Sequence, residues 1–500
     1  MQLLLGEIAQ ILETGPVSQP NLRVAGYSID SRTLRPGELF FAVRGQRLDG
    51  HDFVMKALEA GAAGAVVDSA RLRDFPASAT TKLLAVPNAL VALHKLAAAV
   101  RCRWGGPLVA VTGSTGKTTT RQMIAALLGT GFHVLQSEGN LNNQFGLPLS
   151  LLRLERETDI GVFELGMSAP GEIRLLATLA APDIGVVTNV SAVHLEFFPD
   201  VEAIACAKYE LIEELRPEAW AVLNADDARV RTFGNRMAGQ TLYYGISHPA
   251  HFQALGLEAN GGGGYRFTVP ANSFQGVIPG SVRGVKVTED FVADGSPEIQ
   301  FHLALLGRHN VLNVLASLAV CYAFGIPPSA LTKAVQALRP PSMRGELVRL
   351  ANGALVVNDC YNSSPDALEG MLTAVASVPA RRRFAVLGGM MELGPTSEAL
   401  HRQGGSRVGE LGYDGLFTVG EPALAFAAGA RAAGLGPESV THFNTPEEAG
   451  SRLRNMLQQG DVILLKGSRA VHLEKVWEQL EKQVTSDKLE VRSEKSEARG

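Results

Sequence analysis

Near-continuous apolar runs of four to six residues recur along the chain, and most of them end at a polar side chain. Early examples lie at residues 109–112, 160–164 and 184–189. Longer segments separate them, in which apolar residues recur at helical spacing, as at Met123 and Leu127. Apolar strands that alternate with helices are typical of a parallel sheet covered on both faces. The pattern therefore predicts an α/β protein whose ligands bind at the carboxyl ends of the strands.

The same pattern divides the chain into three units and a tail. Residues 1–105 contain short strands between polar turns, which predicts a small α/β N-terminal domain. Residues 106–340 predict a central domain with a P-loop ATPase-type parallel sheet, to which a glycine-rich, antiparallel segment at 250–300 is added. Residues 341–485 predict a Rossmann-like C-terminal domain, and the charged residues 486–500 a disordered tail. The strands predicted for the C-terminal domain are 355–359, 384–388, 416–419 and 462–466.

Composition excludes some classes of function. A formal net charge of −4 provides no electrostatic footprint for nucleic acid or a membrane surface. The 4 cysteines have neither metal-binding nor disulfide spacing, which favours a reducing compartment. The first residues lack the basic start of a signal peptide, and no apolar run reaches the ~18 residues that a membrane span requires. We therefore expect a cytoplasmic monomer that neither enters a membrane nor binds nucleic acid.

The segment at 109–120 carries the clearest chemical signal. An apolar run ends in Thr-Gly-Ser-Thr-Gly-Lys-Thr before an amphipathic segment, in the order strand, phosphate loop, helix. Backbone N–H groups of such a loop surround an anion, Lys117 can reach the β- and γ-phosphates of ATP, and Thr118 can ligate Mg²⁺. An ordinary glycine turn is the alternative, because Val111 replaces the first glycine of the common consensus. The loop residues predicted to bind ATP are Gly113, Ser114, Thr115, Gly116, Lys117, Thr118 and Thr119.

Polar residues near other strand ends are weaker candidates. Glu164 ends a strand and can hold a cation near the phosphates, while His194 lies beyond another strand end and can hold a second. Isolated residues of this kind are more often structural, and Lys208 would ordinarily be a solvated helix lysine. Asn310 and Asn313 share one helical face and suit the edges of adenine or ribose, but helix capping explains them equally well.

Together these segments resemble the Mur ligase family, the ATP-dependent amide ligases that build the peptidoglycan stem peptide. The resemblance covers nearly all of residues 25–480. The phosphate loop has the family's form, which accounts for the missing first glycine, and the family's Gly-x-His-Asn-x-x-Asn signature falls on 307–313. The family's glutamate and histidine fall on Glu164 and His194. Its lysine, carbamylated by CO₂ in many members, falls on Lys208.

Within the family the chain is most similar to the branch that adds D-alanyl-D-alanine to UDP-N-acetylmuramoyl-tripeptide. Residues 142–148 look like that branch's Asn-Asn-x-x-Gly-x-Pro, and residues 359–365 look like its Asp-x-Tyr-Asn-x-x-Pro. The Asp-Asn-Pro-Arg motif usual in the ligase for the third stem residue is absent. Two positions depart from the branch: Gly389 replaces a common Asp, which puts one polar contact in doubt, and Met343 stands where glycine is common.

The resemblance implies that ATP converts the acceptor's carboxylate to an acyl phosphate, which the amine of the dipeptide then attacks. It implies that the first domain holds the UDP end, the central domain holds ATP and the reacting carboxylate, and the last domain holds the dipeptide and part of the adenosine. The implied catalytic residues are Lys117, Glu164, His194 and Lys208, with Mg²⁺ at Thr118, Glu164 and His194 and a carbamate on Lys208. Further ATP contacts are expected at Asn310, Asn313, Arg344, Asp359 and Tyr361, and substrate contacts at Ser31, Arg32, Asn142, Asn143, Lys466 and Arg469.

Three alternatives remain open from the sequence. The nearest is the ligase for the third stem residue, or a relative that acts on another amino-acid polymer. A P-loop ATPase that powers a conformational change would leave the segments at 142–148 and 359–365 unexplained. A non-catalytic sensor of sugar nucleotides would be expected to lack Lys117 or Glu164, and both are present.

Overall fold

The computed structural model describes residues 1–261, 263–275, 282 and 297–481. The predicted tail and part of the glycine-rich segment lie outside the described residues. Three α/β units follow one another along the chain, so the predicted fold class of an α/β protein with three domains is confirmed.

The first unit is a four-stranded parallel sheet with helices on both faces. Its elements are α1 (Leu5–Leu12), β1 (Gly26–Ser28), β2 (Glu38–Phe41), α2 (Val54–Glu59), β3 (Gly64–Asp68), β4 (Leu83–Val86) and α3 (Ala89–Trp104), with the strand order β1-β2-β3-β4. Strand alternation assigns the two faces: Leu39 and Phe41 pack in the cluster that contains α1 and α3, whereas Phe40 packs with α2. Helix α3 ends in Gly105, which takes up the left-handed conformation with φ +69°.

The central unit has a seven-stranded sheet in which every paired strand is parallel. Its elements are β5 (Leu108–Thr112), α4 (Lys117–Leu128), β6 (Val134–Gln136), α5 (Gly146–Leu151), β7 (Ile160–Glu164), α6 (Glu172–Ala180), β8 (Ile184–Val187), α7 (Val201–Glu213), β9 (Trp220–Asn224), α8 (Ala228–Phe233), β10 (Gln240–Gly245) and β11 (Phe252–Gln253). The strand order is β11-β10-β9-β8-β5-β7-β6. The chain passes from β5 outward to β6, returns through β7 and continues on the other side at β8, so the crevice for a ligand lies at the carboxyl end of β5.

The predicted antiparallel segment is confirmed in its described part. It is a three-stranded sheet of β12 (Leu255–Ala259), β13 (Tyr265–Pro270) and β14 (Glu298–Leu303). Two helices follow, α9 (Arg308–Ala323) and α10 (Pro328–Ala337). Helix α9 is apolar on nearly all sides because it is enclosed in one cluster with β5, α4 and the antiparallel sheet.

The last unit has a six-stranded sheet in the order β15-β16-β20-β17-β18-β19. Its elements are β15 (Glu346–Arg349), β16 (Leu355–Asp359), α11 (Pro365–Ala376), β17 (Arg382–Gly388), α12 (Ser397–Glu410), β18 (Gly415–Val419), α13 (Leu424–Ala432), β19 (Val440–Phe443), α14 (Pro446–Met456), β20 (Asp461–Lys466) and α15 (Glu474–Glu481). All four predicted strands are present. Strands β15 and β19 were not predicted, because both are short edge strands, and β15 is antiparallel with only one buried residue.

A continuous core joins the first two units. One apolar cluster contains residues of α1 and α3 together with residues of β5, α5 and α6. Beneath it, the carboxylate of Asp183 accepts a hydrogen bond from the backbone N–H of Leu108 at 2.9 Å and pairs with Arg101 and Arg216. Within the described part of the chain, no helix is long and apolar enough to cross a membrane.

Candidate active site

The predicted phosphate loop is a strand-to-helix turn between β5 and α4. Gly113 and Gly116 have φ values of +145° and +81°, which side-chain-bearing residues rarely adopt. A Cβ on Gly113 would also lie 1.9 Å from the hydroxyl of Thr188, and one on Gly116 would lie 2.9 Å from the amide oxygen of Asn313. Both glycines are therefore required by the turn and by the elements packed behind it.

Asn189, just beyond the end of β8, holds the loop in shape. Its backbone oxygen accepts a hydrogen bond from the N–H of Ser114 at 2.9 Å, and its side-chain oxygen accepts one from the N–H of Thr115 at 2.8 Å. The ammonium of Lys117 donates to the carbonyl oxygens of Gly113 at 2.8 Å and Ser114 at 3.2 Å. Burial lowers the pKa of Lys117, Glu164 opposes that shift, and the guanidinium of Arg344 adds to it. Positive charge thus gathers at the loop from two domains.

Glu164, at the end of β7, faces the start of α4. Its Oε2 accepts a hydrogen bond from the hydroxyl of Thr118 at 2.8 Å, and its Oε1 accepts one from the amide of Asn142 at 2.8 Å. A hydroxyl and a carboxylate oxygen beside a phosphate loop are a donor set that suits Mg²⁺, which is bound through one or two side chains and substrate phosphates. Among the described residues, no cluster of three or more His, Cys, Asp or Glu could hold a metal by itself. The residues present fit the predicted Mg²⁺ when phosphate oxygens complete its coordination.

Sequence reasoning missed Arg121, one turn after Lys117 on α4. Its side chain is only 2% exposed, and its Nη1 donates to both the carbonyl oxygen of Ser137 and the hydroxyl of Ser137, the latter at 2.9 Å. Ser137 begins the segment at 137–145, called the acceptor loop here because it carries Asn142 and Asn143. The available signal was a cationic residue at i+4 from the phosphate-loop lysine, which puts both on one helical face.

The two asparagines of the acceptor loop have different structural roles. Asn142 contacts Glu164 as described, and its backbone oxygen accepts from the N–H of Gly166 at 2.8 Å. Asn143 stabilises the turn that leads into α5, since its side-chain oxygen accepts from the N–H groups of Phe145 at 3.1 Å and Gly146 at 3.0 Å. The structure thus brings Asn142 to the predicted metal ligand, while Asn143 is exposed on the loop.

Lys208, in α7, is 1% exposed. Burial lowers its pKa well below the usual value, and the nearby charge of Lys117 lowers it further. Across the described residues, no carboxylate and no hydrogen-bond acceptor is found for its ammonium. The nearby carboxylate of Glu210 instead accepts from the N–H groups of Gly171 at 2.8 Å and Arg174 at 2.9 Å at the start of α6. Burial favours the neutral form of a lysine amine, and the neutral amine is the form that adds CO₂.

His194 lies where the central and last units meet. It has φ +59°, and its Nδ1 contacts the carboxylate of Glu392 from the turn after β17. Backbone bonding supports this contact, since the N–H of Glu196 donates to the carbonyl oxygen of Glu392 at 3.2 Å. The pair with His194 lowers the pKa of Glu392. Non-glycine residues in the left-handed region are uncommon and often belong to functional sites.

Asn310 and Asn313, on α9, lie behind the phosphate loop. The amide of Asn313 donates to the side-chain oxygen of Asn310 at 3.0 Å, and the amide of Asn310 donates to the carbonyl oxygen of Leu306 at 2.7 Å. The hydroxyl of Thr120 donates to the oxygen of Asn313 at 3.1 Å. Gly307 occupies the N-cap of α9, so capping by either asparagine is wrong. The side chain of Asn313 ties α9 to α4 and is itself held by Asn310, and the contact of both residues with adenosine stays a prediction.

Four of the predicted residues in the last unit form two pairs at the domain boundary. Arg344 stacks over the ring of Tyr361 at 4.1 Å, and its charge reaches both Lys117 and Arg121. Buried Lys466, 3% exposed, donates to the carboxylate of Asp359 at 2.6 Å. Asp359 was predicted to contact ATP, and Lys466 to contact the substrate. The two side chains form one ion pair at the carboxyl ends of β16 and β20.

The two departures from the branch have local explanations. Met343 has φ +58°, a conformation that glycine adopts without cost, and Arg469 donates to its sulfur at 3.7 Å. At Gly389, a Cβ would lie 2.8 Å from the Cβ of Pro422, so an aspartate would displace that proline. Arg469 also pairs with Glu474 at 3.3 Å, which keeps its guanidinium at the domain surface.

Ser31 and Arg32 line a cavity of about 1280 Å³ between the first and central units. Arg32 pairs with Asp30 at 2.7 Å and is largely exposed. Leu141 and Phe145, both in the acceptor loop, line the opposite wall. A cavity of this size, with aromatic and charged walls, fits a large polar ligand.

Comparison with known proteins gives the family to which this fold and site belong. The family model described as "Mur ligase family, catalytic domain" matches residues 23–101, "Mur ligase middle domain" matches 111–321, and "Mur ligase, glutamate ligase domain" matches 343–469. The chain belongs to the Mur ligase family.

Individual relatives are similar over nearly the whole chain. The UDP-N-acetylmuramoyl-tripeptide–D-alanyl-D-alanine ligase of Bacillus subtilis (strain 168) is 33% identical over 455 residues, covering 91% of this chain and 92% of that protein. The ligase of the same name from Escherichia coli (strain K12) is 31% identical over 481 residues, covering 95% and 98%. The predicted resemblance to the family and to this branch is confirmed.

Solved structures agree with this placement. A crystal structure of MurF from Acinetobacter baumannii superimposes with a TM-score of 0.81 at 25% identity and covers 96% of this chain and 99% of its own. The MurF ligase from Thermotoga maritima, solved in complex with ADP, superimposes with a TM-score of 0.77 at 29% identity and covers 92% and 97%.

Proposed function

We propose that this chain is an ATP-dependent amide ligase that adds D-alanyl-D-alanine to UDP-N-acetylmuramoyl-tripeptide in peptidoglycan precursor synthesis. The observation that carries the proposal is the meeting of Lys117, Glu164 and Arg344 at one phosphate loop, within a chain whose relatives carry this activity in their names. A peptide carboxylate resists attack by an amine until ATP converts it to an acyl phosphate, and phosphoryl transfer to an anion needs cationic side chains.

Each residue at the phosphate loop has a separate role in the proposed reaction. The backbone N–H groups of residues 113–116 and the ammonium of Lys117 bind the phosphates, and Arg344 approaches them from the last unit. Thr118 and Glu164 would hold Mg²⁺, with His194 near a second ion, and bound Mg²⁺ would neutralise charge on the transferring phosphoryl group. A carbamate on Lys208 would turn a neutral amine into an anionic oxygen ligand beside those ions.

The proposed substrate positions are based on the cavity between the first and central units and on the residues at the end of β20 in the last unit. The cavity with Ser31 and Arg32 would take the UDP end of the acceptor, and the acceptor loop would lead its peptide toward Lys117. Lys466 and Arg469, at the end of β20, would lie near the carboxylate of the incoming dipeptide. The amine of that dipeptide attacks the acyl carbon, the tetrahedral intermediate collapses, and phosphate leaves with the bonding electrons.

The test is turnover with each reactant omitted in turn. We expect ADP and phosphate only when ATP, UDP-N-acetylmuramoyl-tripeptide and D-alanyl-D-alanine are all present, with the pentapeptide product identified by mass spectrometry. Product from the UDP-dipeptide and a single amino acid would identify the third-residue ligase. ATP hydrolysis that ignores both substrates would identify a different P-loop ATPase.

We further propose that the ligase acts as a monomer in the cytoplasm. Its proposed acceptor is a nucleotide-linked precursor. Sedimentation at micromolar concentration should give a single species of about the mass of one chain, 53.1 kDa. A stable dimer would contradict the proposed monomer.

A further inference from the structure

We propose that Arg121 is a positioning residue of this ligase, which holds the acceptor loop and Glu164 in register with the phosphate loop. The inference rests on the proposed function, because its measured effect is on ligation. It begins from the placement of Arg121 one helical turn after Lys117, on the same face of α4 but directed to the acceptor loop.

One hydroxyl group connects three elements through this arginine. The hydroxyl oxygen of Ser137 accepts a hydrogen bond from Nη1 of Arg121 at 2.9 Å and another from the backbone N–H of Glu164 at 3.2 Å. Nη1 also bonds the carbonyl oxygen of Ser137. Helix α4, the start of the acceptor loop and the end of β7 thus share a single junction. The carboxylate of Glu164 continues it to Thr118 and Asn142.

Burying the guanidinium of Arg121 costs free energy, which is unexpected if the residue only stabilises the fold. Its guanidinium is buried, has no carboxylate within 4.0 Å among the described residues, and leaves a buried Nε without a partner. Burial lowers the pKa of Arg121, and the charges of Glu164 and Tyr361 oppose that shift. A buried charge without a close partner is costly, and an apolar side chain at such a position is often neutral or stabilising. Stability alone therefore does not explain the charge, whereas its hydrogen bonds to the start of the acceptor loop give it a positioning role.

Arg121, Lys117 and the charged groups that act on them include more cations than carboxylates. Arg344, from the last unit, is close enough for its charge to act on both Arg121 and Lys117, and Glu164 is the carboxylate close enough to act on both. This excess suits the polyanion formed by ATP and the acceptor's carboxylate. Arg121 lies under the acceptor loop and not under the phosphate-binding N–H groups. Its loss should therefore disturb acceptor placement and turnover more than nucleotide binding.

The experiment compares Arg121→Met, Arg121→Lys and Ser137→Ala with the wild-type ligase. Ligation by the wild type is measured first, so that a failure of the proposed function is recognised independently. For Arg121→Met we expect kcat to fall at least tenfold and KM for the UDP-tripeptide to rise several-fold. Binding of ADP, measured by calorimetry without acceptor, should stay within about twofold of the wild type. Arg121→Lys should recover part of kcat because it keeps the charge.

A double-mutant cycle separates positioning from general destabilisation. Because Arg121 and Ser137 share one junction, the double variant should lose much less kcat/KM than the product of the two single losses. If Arg121→Met does not fold, Arg121→Lys and Ser137→Ala carry the same comparison of acceptor KM and ADP binding. Unchanged kcat and acceptor KM, equal weakening of both ligands, or strictly additive losses would each overturn the proposal.

Discussion

The hydrogen-bond acceptors that Lys117 has in the structure are weaker than the phosphate oxygens that we propose it binds. Its ammonium bonds two backbone carbonyl oxygens of its own loop, although phosphate oxygens are far stronger acceptors for a cation. Lys117→Ala should therefore lower kcat by ~10² or more, since it removes a charge aimed at the transferring group. Steady-state kinetics at saturating ATP check this. Lys95→Ala, an exposed lysine of α3 paired with Glu13, is the matched control and should turn over normally.

Lys208 is the residue whose charge state distinguishes two mechanisms. If it carries a carbamate, Lys208→Ala should be nearly inactive and partly restored by a short carboxylic acid that fills the gap. If it acts as a cation toward phosphate, a small amine should restore activity and the acid should not. The burial of its amine without a carboxylate partner among the described residues supports the first outcome. Rescue by the amine alone would rule out the carbamate.

At the scale of elements, the joint between the first unit and the central sheet depends on Asp183. This buried carboxylate pairs with Arg101 of α3 and with Arg216, and it accepts from the first residue of β5. Asp183→Ala would remove the carboxylate that pairs with the buried guanidinium of Arg101 and accepts from the N–H of Leu108, so we expect a loss of about 3 kcal/mol in the free energy of unfolding.

Urea unfolding followed by circular dichroism measures that loss. Glu13→Ala breaks an exposed pair with Lys95 and should leave the free energy of unfolding nearly unchanged, which makes it the control. Because one apolar cluster spans α3 and β5, we expect both units to unfold in one transition. An early transition confined to the first unit would contradict a shared core.

At the scale of the molecule, the site is complete only when the central and last units are in contact. Arg344 and Asp359 lie beyond residue 340, where the central domain was predicted to end, yet Arg344 acts on Lys117, and Glu392 contacts His194. Glu392→Gln weakens that contact, so the free protein should show a larger radius of gyration in small-angle X-ray scattering. An ATP analogue with the acceptor should restore compaction.

Glu398→Gln is the control for this measurement, because Glu398 pairs within α12 with Arg402 and lies outside the boundary. Its scattering should match that of the wild type with and without ligands. Equal radii of gyration for Glu392→Gln and the wild type, before and after ligand addition, would show that the His194–Glu392 contact does not control closure.

The part of the site that is formed by consecutive residues could be predicted from the sequence. The part that is formed by residues distant in the chain could not. The phosphate loop was recognisable because its chemistry lies in seven consecutive residues whose glycines the turn requires. Arg121 and Ser137 are 16 residues apart, and neither belongs to a motif that names a ligand. Their junction forms only when β6 is laid beside β7, which brings Ser137 to the backbone N–H of Glu164. No local pattern encodes that approach.

The sequence by itself determined the fold class, the phosphate loop and the family resemblance, because hydrophobic periodicity and short motifs are local properties of the chain. It did not determine that Glu392 contacts His194, that Lys466 pairs with Asp359, or that Glu210 caps α6 and leaves Lys208 without a carboxylate partner among the described residues. Those arrangements depend on which strand ends meet and on how two domains approach. Long-range packing decides both, since burial and charge pairing are properties of the assembled fold.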